Sequence, residues 1–301
     1  MVNGRTLRQV LDAHVAWLEK RAGGSRADLS GASLSEFDLH GANLRQANLQ
    51  GAMLATADLS GADLSGAELE DADFRGAILT RADFSEATLT GARFDGAELS
   101  EANLSDCGID GVSFQGARLA KARFLESRIR HANFKQAQAQ GAGFHQASIS
   151  ESDFTNANLE NAAFYHVRLQ LSRFVSIVAA EANFSASKIL NCEFRDAELT
   201  SSKFYQADLR GSSFGRALLS WCDFREAILS GTDFGRARLS SARFGDAKLF
   251  SADFREANMQ GAREVTAEQL SQARTSAGTT LPSGRQGVFL RGSGNERAGR
   301  G

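Results

Sequence analysis

Residues 57–66 read Ala57-Asp58-Leu59-Ser60-Gly61-Ala62-Asp63-Leu64-Ser65-Gly66, one five-residue phrase written twice. Counting by fives from Leu59 reaches back through Leu54, Leu49, Leu44, Leu39 and Leu34 to Leu29, and forward to Met259. This series holds 47 centre positions without a slip, and all but Ala139 and Ala179 are Leu, Phe, Ile or Met. Two residues before each centre stands a small residue, usually Ala; Phe37 and Ile177 are the bulky exceptions. The residue just before the centre is often Asp, Asn, Glu or Arg, and the two after it are polar or Gly. Apolar residues therefore arrive at offsets of two and three, which neither a 3.6-residue helix nor strict strand alternation produces. The offsets predict a short extended piece with two inward side chains, followed by a turn.

Tandem Ala-(Asp/Asn)-Leu-x-Gly over residues 27 to 262 resembles the pentapeptide repeat family, in its bacterial form with an N-terminal helical leader. The resemblance implies an all-β fold, a right-handed quadrilateral parallel β-helix with one pentapeptide per side and short α-helical caps at both ends. Four pentapeptides per coil give about 12 coils, and at ~4.8 Å per coil a rod of ~55 Å. Such a solenoid gains stability coil by coil along its axis. The single proline, Pro282, falls outside the repeats, as a ladder that needs every N–H requires. Phe occupies every tenth position from Phe114 to Phe254, with Phe74, Phe84 and Phe94 before them. On a twenty-residue coil this places Phe on two opposite sides and Leu or Ile on the other two, matching volumes in a narrow core.

The domain reading is 1–25 for an N-terminal capping helix, 26–262 for the β-helix, 263–282 for a C-terminal capping helix and closure, and 283–301 for a disordered tail. Residues 6–22 read as an amphipathic helix, opened by a Thr6-Leu7-Arg8-Gln9 capping box and stopped by Gly23-Gly24. Leu7, Val10, Leu11, His14 and Leu18 share its apolar face, and His14 is read as packing on the first coil. The run from His14 to Leu18 resembles the leader of bacterial family members. Thr266-Ala267-Glu268-Gln269 is a second capping box, opening a short helix to about Ala273, and the stretch from Thr279 to Pro282 resembles the family's closure. Beyond it the chain is rich in Gly and Arg, with Val288-Phe289-Leu290 as its one apolar knot.

Chemistry-bearing patterns are missing. Cys107, Cys192 and Cys222 all fall at the small inward position, on three different sides and more than a coil apart. They read as small core residues of a protein in a reducing compartment. His40, His131, His145 and His166 sit at outward positions. There is no phosphate loop, no Gly-x-Ser-x-Gly elbow and no Cys-x-x-Cys. Nothing is inserted between repeats to build a concave site. The expectation is a non-enzyme with no cofactor and no metal. No run of about 18 apolar residues predicts a membrane span, and the opening residues show no secretory signal, so the expected location is cytoplasmic.

Charge is balanced overall, 34 Lys plus Arg against 36 Asp plus Glu, but not along the chain. Residues 26–100 hold 13 acids and five Arg, residues 101–180 seven acids and eight bases, and residues 181–262 eleven of each. Arg118, Lys121, Arg123, Arg128, Arg130 and Lys135 form a basic band around one coil, read as surface salt bridges to neighbouring coils and not as a nucleic-acid groove. One outward column departs from the polar rule: Leu125, His145, Tyr165, Ser185, Tyr205, containing both tyrosines of the chain. Val175, Val178 and Leu190 are read as widening it. An apolar, tyrosine-bearing stripe marks a contact surface, so the reading is a rigid scaffold that binds an unidentified protein partner. A homodimer stays open; the family resemblance offers end-to-end pairing through the C-terminal cap. The resemblance also supplies an alternative, a DNA mimic that binds DNA gyrase or topoisomerase IV and protects it from inhibitors. Acidity confined to the first third of the repeats argues against that alternative.

Overall fold

In the computed structural model, which describes residues 5–298, the five-residue period becomes a turn every five residues. The opening Met1–Gly4 and residues 299–301 of the expected tail lie outside the described residues. The carbonyl of most centre residues accepts the N–H of the small residue three positions on, as from Ala62 to Leu59 at 3.0 Å. The corner residue between them, two after the centre, takes the left-handed conformation, φ 65° at Gly61 and 63° at Gly66. Glycine enters that region without penalty and short polar residues at modest penalty, which is why Gly or a polar residue follows the centre at this distance.

Four such turns return the chain to register after twenty residues. The chain forms two compact units, Met1–Ala147 and Ser148–Gly301. In the first, Asp28 pairs in parallel with Asn48, Asn48 with Glu68, and Asp63 with Asp83. In the second, Asp153 pairs with Arg173, Arg173 with Glu193, and Asn183 with Lys203. Each coil donates both ways: Leu49 N–H to Glu68 O at 2.8 Å, Asn48 N–H to Ala27 O at 3.0 Å. Each unit is thus a parallel β-helix with four sides per coil. Along one side of the first unit the extended piece lengthens to three residues in β1 (Gly108–Asp110) and β2 (Arg128–Arg130), paired Ile109 to Ile129. The second unit has β3 (Ser148–Ser150), β4 (Arg168–Gln170) and β5 (Lys188–Leu190), paired Ile149 to Leu169 to Ile189. Four of these five centres are Ile, whose β-branched side chain favours extended backbone.

Centre and small residues form the core, almost all fully buried. Phe rings stack along each unit, Phe74 on Phe94 at 4.8 Å and Phe184 on Phe204 at 5.0 Å. Across the coil they meet edge to face, Phe74 with Phe84 at 87° and Phe184 with Phe194 at 87°. Both geometries suit the ring quadrupole, so the ten-residue Phe spacing fills two opposite sides as its volume requires. Inward Ser and Thr are hydrogen-bonded where they replace Ala: Ser127 Oγ donates to Leu104 O at 2.7 Å, Ser202 Oγ to Ala179 O at 2.7 Å, Thr232 Oγ1 to Leu209 O at 3.0 Å. A buried hydroxyl is tolerated only with such a partner.

Helix α1 (Leu7–Leu18) closes part of the first coil, and its Thr6–Gln9 capping box is formed. Its end differs from the expectation of residue 22. Lys20 takes φ 55°, Lys20 N–H donates to Trp17 O at 3.0 Å and Arg21 N–H to Ala16 O at 2.7 Å. That is a Schellman closure with lysine where glycine is usual. Gly24 serves another purpose: a Cβ there would lie 2.4 Å from the Trp17 nitrogen, so only glycine lets the chain turn back against the helix. His14 is fully buried between helix and coil. Its Nδ1 accepts from Ala27 N–H at 3.0 Å and its Nε2 lies 3.0 Å from Arg45 O, to which it donates as the Nε2–H tautomer. Phe37 departs from the inward rule and is 45% exposed, with Ala32 and Ala42 half-buried. Helix α1 covers the side of Ala27, and no earlier coil lies over these residues.

At the other end, α2 (Ala267–Gln272) has its Thr266–Gln269 capping box and buries Leu270. Gln269 Nε2 donates to Phe244 O and Ala247 O, both at 2.8 Å. Arg274 and Thr280 continue the parallel ladder from Asp253 and Asn258. Residues 283–298, read from sequence as a tail, run back over this cap. Thr280 pairs antiparallel with Gln286, Phe289 is buried, and Phe289 N–H donates to Thr275 Oγ1 at 2.9 Å. Among the described residues no helix is long and apolar enough to cross a membrane.

His14 sets a pH dependence. Burial holds its pKa below the ordinary value, and nearby Arg26 adds to this, while the Arg45 carbonyl contact opposes it. The unfolded chain therefore binds the proton more readily, and the His14 contribution is complete above its unfolded pKa of about 6.5. It is lost as pH falls from there toward the lower folded value. Urea unfolding at pH 8 and pH 5 should show wild type losing more stability than His14→Gln, the variant starting ~1–3 kcal/mol lower at pH 8. Equal losses in the two proteins would contradict this role.

Candidate interaction surface

The outward column was read from position in the repeat, and the structure locates each member. In the first unit Leu125 and His145 are half-buried. They lean together over Gly143, whose Cβ, if present, would lie 3.6 Å from Leu125 Cδ1 and 3.1 Å from His145 Cε1. Desolvation holds the His145 pKa below its ordinary value. In the second unit Tyr165 and Tyr205 lie along one side, the side whose pre-centre residues pair Ala163 to Asn183 to Lys203. Both are half-buried. The Tyr165 ring meets His166 edge-on at 5.8 Å.

Tyr205 is held by its neighbours. Its hydroxyl donates to Glu226 Oε1 at 2.8 Å, which raises the phenol pKa. Gln206 Nε2 donates to the other carboxylate oxygen at 2.8 Å, and with the tyrosine holds Glu226 below the ordinary carboxylate range. The Arg225 guanidinium sits 5.6 Å from the Tyr205 ring centroid while binding Asp223 through two contacts of 2.8 and 2.6 Å. Leu190, at the end of β5, is half-buried on the adjoining side, and Val178 adjoins on the other. Val175 does not join them. It follows Phe174, on the side paired Arg173 to Glu193 to Ser213, half a coil away and facing the opposite direction.

Trp221 was not anticipated. It occupies a corner position with φ 64° and is 55% exposed. The Arg263 guanidinium stacks on it at 5.3 Å from the ring centroid. A bulky residue in the left-handed region is uncommon, and the corner flanks the side that carries Tyr205. Its sequence signal was a large apolar residue two positions after a centre; Leu171, also exposed at φ 49°, is another.

Much of the outward charge is occupied locally. Asp58 accepts from Ser60 through hydroxyl and backbone N–H, which lowers its pKa. Asp28 does the same with Ser30. These carboxylates hold the turn two residues ahead, as Asx turns do. In the basic band, Arg118 reaches Glu98 at 3.5 Å and Arg130 reaches Asp110 at 3.1 Å, each one coil back. Among the described residues no group of three or more His, Cys, Asp or Glu is arranged to hold a metal ion.

Comparison with sequence families recognises the repeat. A sequence model described as pentapeptide repeats (8 copies) matches residues 25–66, 57–96, 67–106, 109–146 and 217–255, and one described as a pentapeptide repeat region matches 147–224. No curated protein matches the chain. Among solved structures, HetL, a pentapeptide repeat protein involved in heterocyst differentiation regulation in the cyanobacterium Nostoc sp. strain PCC 7120, is 25% identical. That match covers 95% of this chain and 99% of HetL with a TM-score of 0.31. QnrB1, a plasmid-mediated fluoroquinolone resistance protein, is 14% identical over 81% of this chain and 91% of its own, with a TM-score of 0.26. A pentapeptide repeat protein of the Arabidopsis thaliana thylakoid lumen is 25% identical over 44% of this chain and 68% of its own, at 0.14.

The cysteines are all free and buried. Cys107 Sγ donates to Phe84 O at 2.9 Å and Cys222 Sγ to Leu199 O at 2.9 Å. Burial pushes the Cys107 and Cys192 thiols up to about 12 and raises Cys222 as well. Thiolate is the reactive form, so a disulfide reagent at pH 8 should leave the native protein untouched and titrate all the thiols in denaturant. Rapid labelling of any one in the native state would show that its coil opens.

Proposed function

The chain belongs to the pentapeptide-repeat family, and on that footing we propose a non-enzymatic, rigid scaffold that presents one side to a protein partner. The candidate surface is the Tyr165–Tyr205 side of the second unit, flanked by Leu190. In the first unit Leu125 and His145 occupy the same position in the repeat. What carries this reading is the arrangement of Tyr205, an aromatic ring fixed from one edge by Glu226 and from one face by Arg225. A ring held in place before contact loses little freedom on binding, and Tyr, Trp and Arg dominate the energetic centres of interfaces. Trp221 with Arg263 supplies a second such pair on the flank.

A scaffold role also accounts for the polar residues: Asp–Ser and Asp–Arg pairs hold their own turn, as Asp58 with Ser60, or tie one coil to the next, as Asp196 with Arg216, and among the described residues these pairs do not converge on a common centre. The DNA-mimic alternative gains less support, because arginine stands beside aspartate along the second unit. Three unpaired thiols accord with a reducing, cytoplasmic setting. Neither nucleic acid nor a membrane is needed for this reading; a second copy of the chain is one form the partner can take.

The double substitution Tyr165→Ser, Tyr205→Ser keeps the repeat pattern, since Ser185 already occupies the same column. The fold should persist, with thermal unfolding within a few degrees of wild type. Partner capture or self-association should weaken, by ~2 kcal/mol for a centrally placed tyrosine. Unchanged capture from lysate together with unchanged sedimentation would overturn the proposal.

A further inference from the structure

Within the second unit, one outward column is interrupted. The post-centre position reads Arg195, Gly215, Gly235, Arg255 over four successive coils, and the two glycines leave a surface notch of about 370 Å³. Its side, paired Glu193 to Ser213 to Asp233 to Asp253, faces away from Tyr165 and Tyr205, so the notch is independent of the proposed partner surface. Arg195 and Arg255 bound the notch at its ends, and Arg216 and Arg236 line its corner edge.

Each of these arginines already has a carboxylate. Arg195 Nη2 lies 3.1 Å from Glu193 Oε2, Arg216 holds Asp196 through two contacts of 2.6 Å, Arg236 Nε lies 2.9 Å from Glu256 Oε2, and Arg255 Nε lies 3.0 Å from Asp253 Oδ1. The remaining charge is Asp233, half-buried in the floor. Its Oδ1 accepts from Gly235 N–H at 2.8 Å and its Oδ2 from Ser213 Oγ at 2.9 Å. No cation lies within ion-pairing distance of it among the described residues. At four other pre-centre aspartates an arginine two positions on covers the carboxylate: Asp73 by Arg75, Asp208 by Arg210, Asp223 by Arg225 and Asp253 by Arg255; at Asp58, Asp63 and Asp83 a serine stands in that place and donates its backbone N–H. In Asp233-Phe234-Gly235 the aspartate remains and its guanidinium is replaced by glycine.

We propose that the notch over Asp233 is a socket for an alkylguanidinium from outside the chain, which takes the place that Arg210, Arg225 and Arg255 fill over their own aspartates. The Asp233 carboxylate accepts its N–H groups, and the gap left by Gly215 and Gly235 admits its carbon stem. The arginines at the rim, each neutralised by its own acid, leave one net negative charge for the incoming cation. The same chemistry is available from an arginine side chain of a partner protein or from a free guanidino compound.

The test is a titration of the full-length protein followed through the backbone amides of Gly215 and Gly235 by NMR, with ionic strength held constant. The probes are ethylguanidinium, free arginine and a blocked Gly-Arg-Gly peptide, with tetramethylammonium as the cation that cannot donate hydrogen bonds. Saturable shifts are expected with guanidinium probes and not with tetramethylammonium. Asp233→Asn should weaken them about tenfold or more without loss of fold, because Asn183 and Asn258 occupy the equivalent position elsewhere. Gly235→Arg, which rebuilds the internal pair at a position that does not need positive φ but whose Cβ would stand 3.0 Å from Asp233 Oδ1, should abolish them while the protein remains folded. Preference for the blocked peptide assigns the socket to a protein partner, and preference for free arginine assigns it to a small molecule. Absence of saturable shifts, equal response to tetramethylammonium, or shifts unaltered by Asp233→Asn would each overturn the proposal.

Discussion

The structure depends on one constraint: a backbone turn every five residues with its corner in the left-handed region. Only that spacing brings residue i beside residue i+20, so that the N–H groups before and at each centre find carbonyls one coil away. Leu49 and Asn48 show both directions of this exchange. The corner conformation is unfavourable for most residues, yet Glu, Asp, Arg and even Trp221 adopt it. Core burial on either side holds them there. Two inward residues per turn then leave three outward, and those three are free to vary. The fold's tolerance of surface change and its demand on the interior have the same origin.

The fold was legible because its period is short and unbroken. Leu29 to Met259 at intervals of five, with Ala two residues before, leaves no competing periodicity, and the ten-residue Phe spacing reported the opposite sides of each unit. Both capping boxes, at Thr6 and Thr266, were readable because a threonine three residues before a glutamine is a local signal. What escaped depended on contacts the pattern does not encode. Helix α1 ends at Leu18 because Lys20 accepts the conformation assigned to Gly23. Phe37 stands in the inward register, but inward means buried only where a coil lies above. Residues 283–298 have the composition of a tail, and it takes Phe289 and Thr275 meeting across the cap to order them.

The candidate surfaces were legible in part. Tyr165 and Tyr205 lie along one side as their forty-residue separation requires. Val175 was placed on the wrong side by half a coil, an error of register and not of chemistry. Trp221 stands at the corner beyond the post-centre position, where the side chain is free to face out. The Asp233 notch shows the reverse case. Its sequence, Asp-Phe-Gly, is ordinary until set beside Asp-Phe-Arg at residues 223–225 and 253–255. A repeat protein carries its own controls, and a position that departs from its equivalents is more informative than any motif considered alone.

The assignment of inward and outward positions is tested most directly by placing the same charge at adjacent residues. Thermal unfolding of Phe184→Asp should be compared with that of Ser185→Asp. Phe184 is fully buried between stacked rings, and Ser185 points outward in the next position. An unpaired carboxylate inside costs several kcal/mol or more, and outside almost nothing. Phe184→Asp should unfold at much lower temperature or fail to fold, while Ser185→Asp should match wild type within a few degrees. Equal effects, or the opposite order, would contradict the five-residue inward register on which the coil and its surfaces depend.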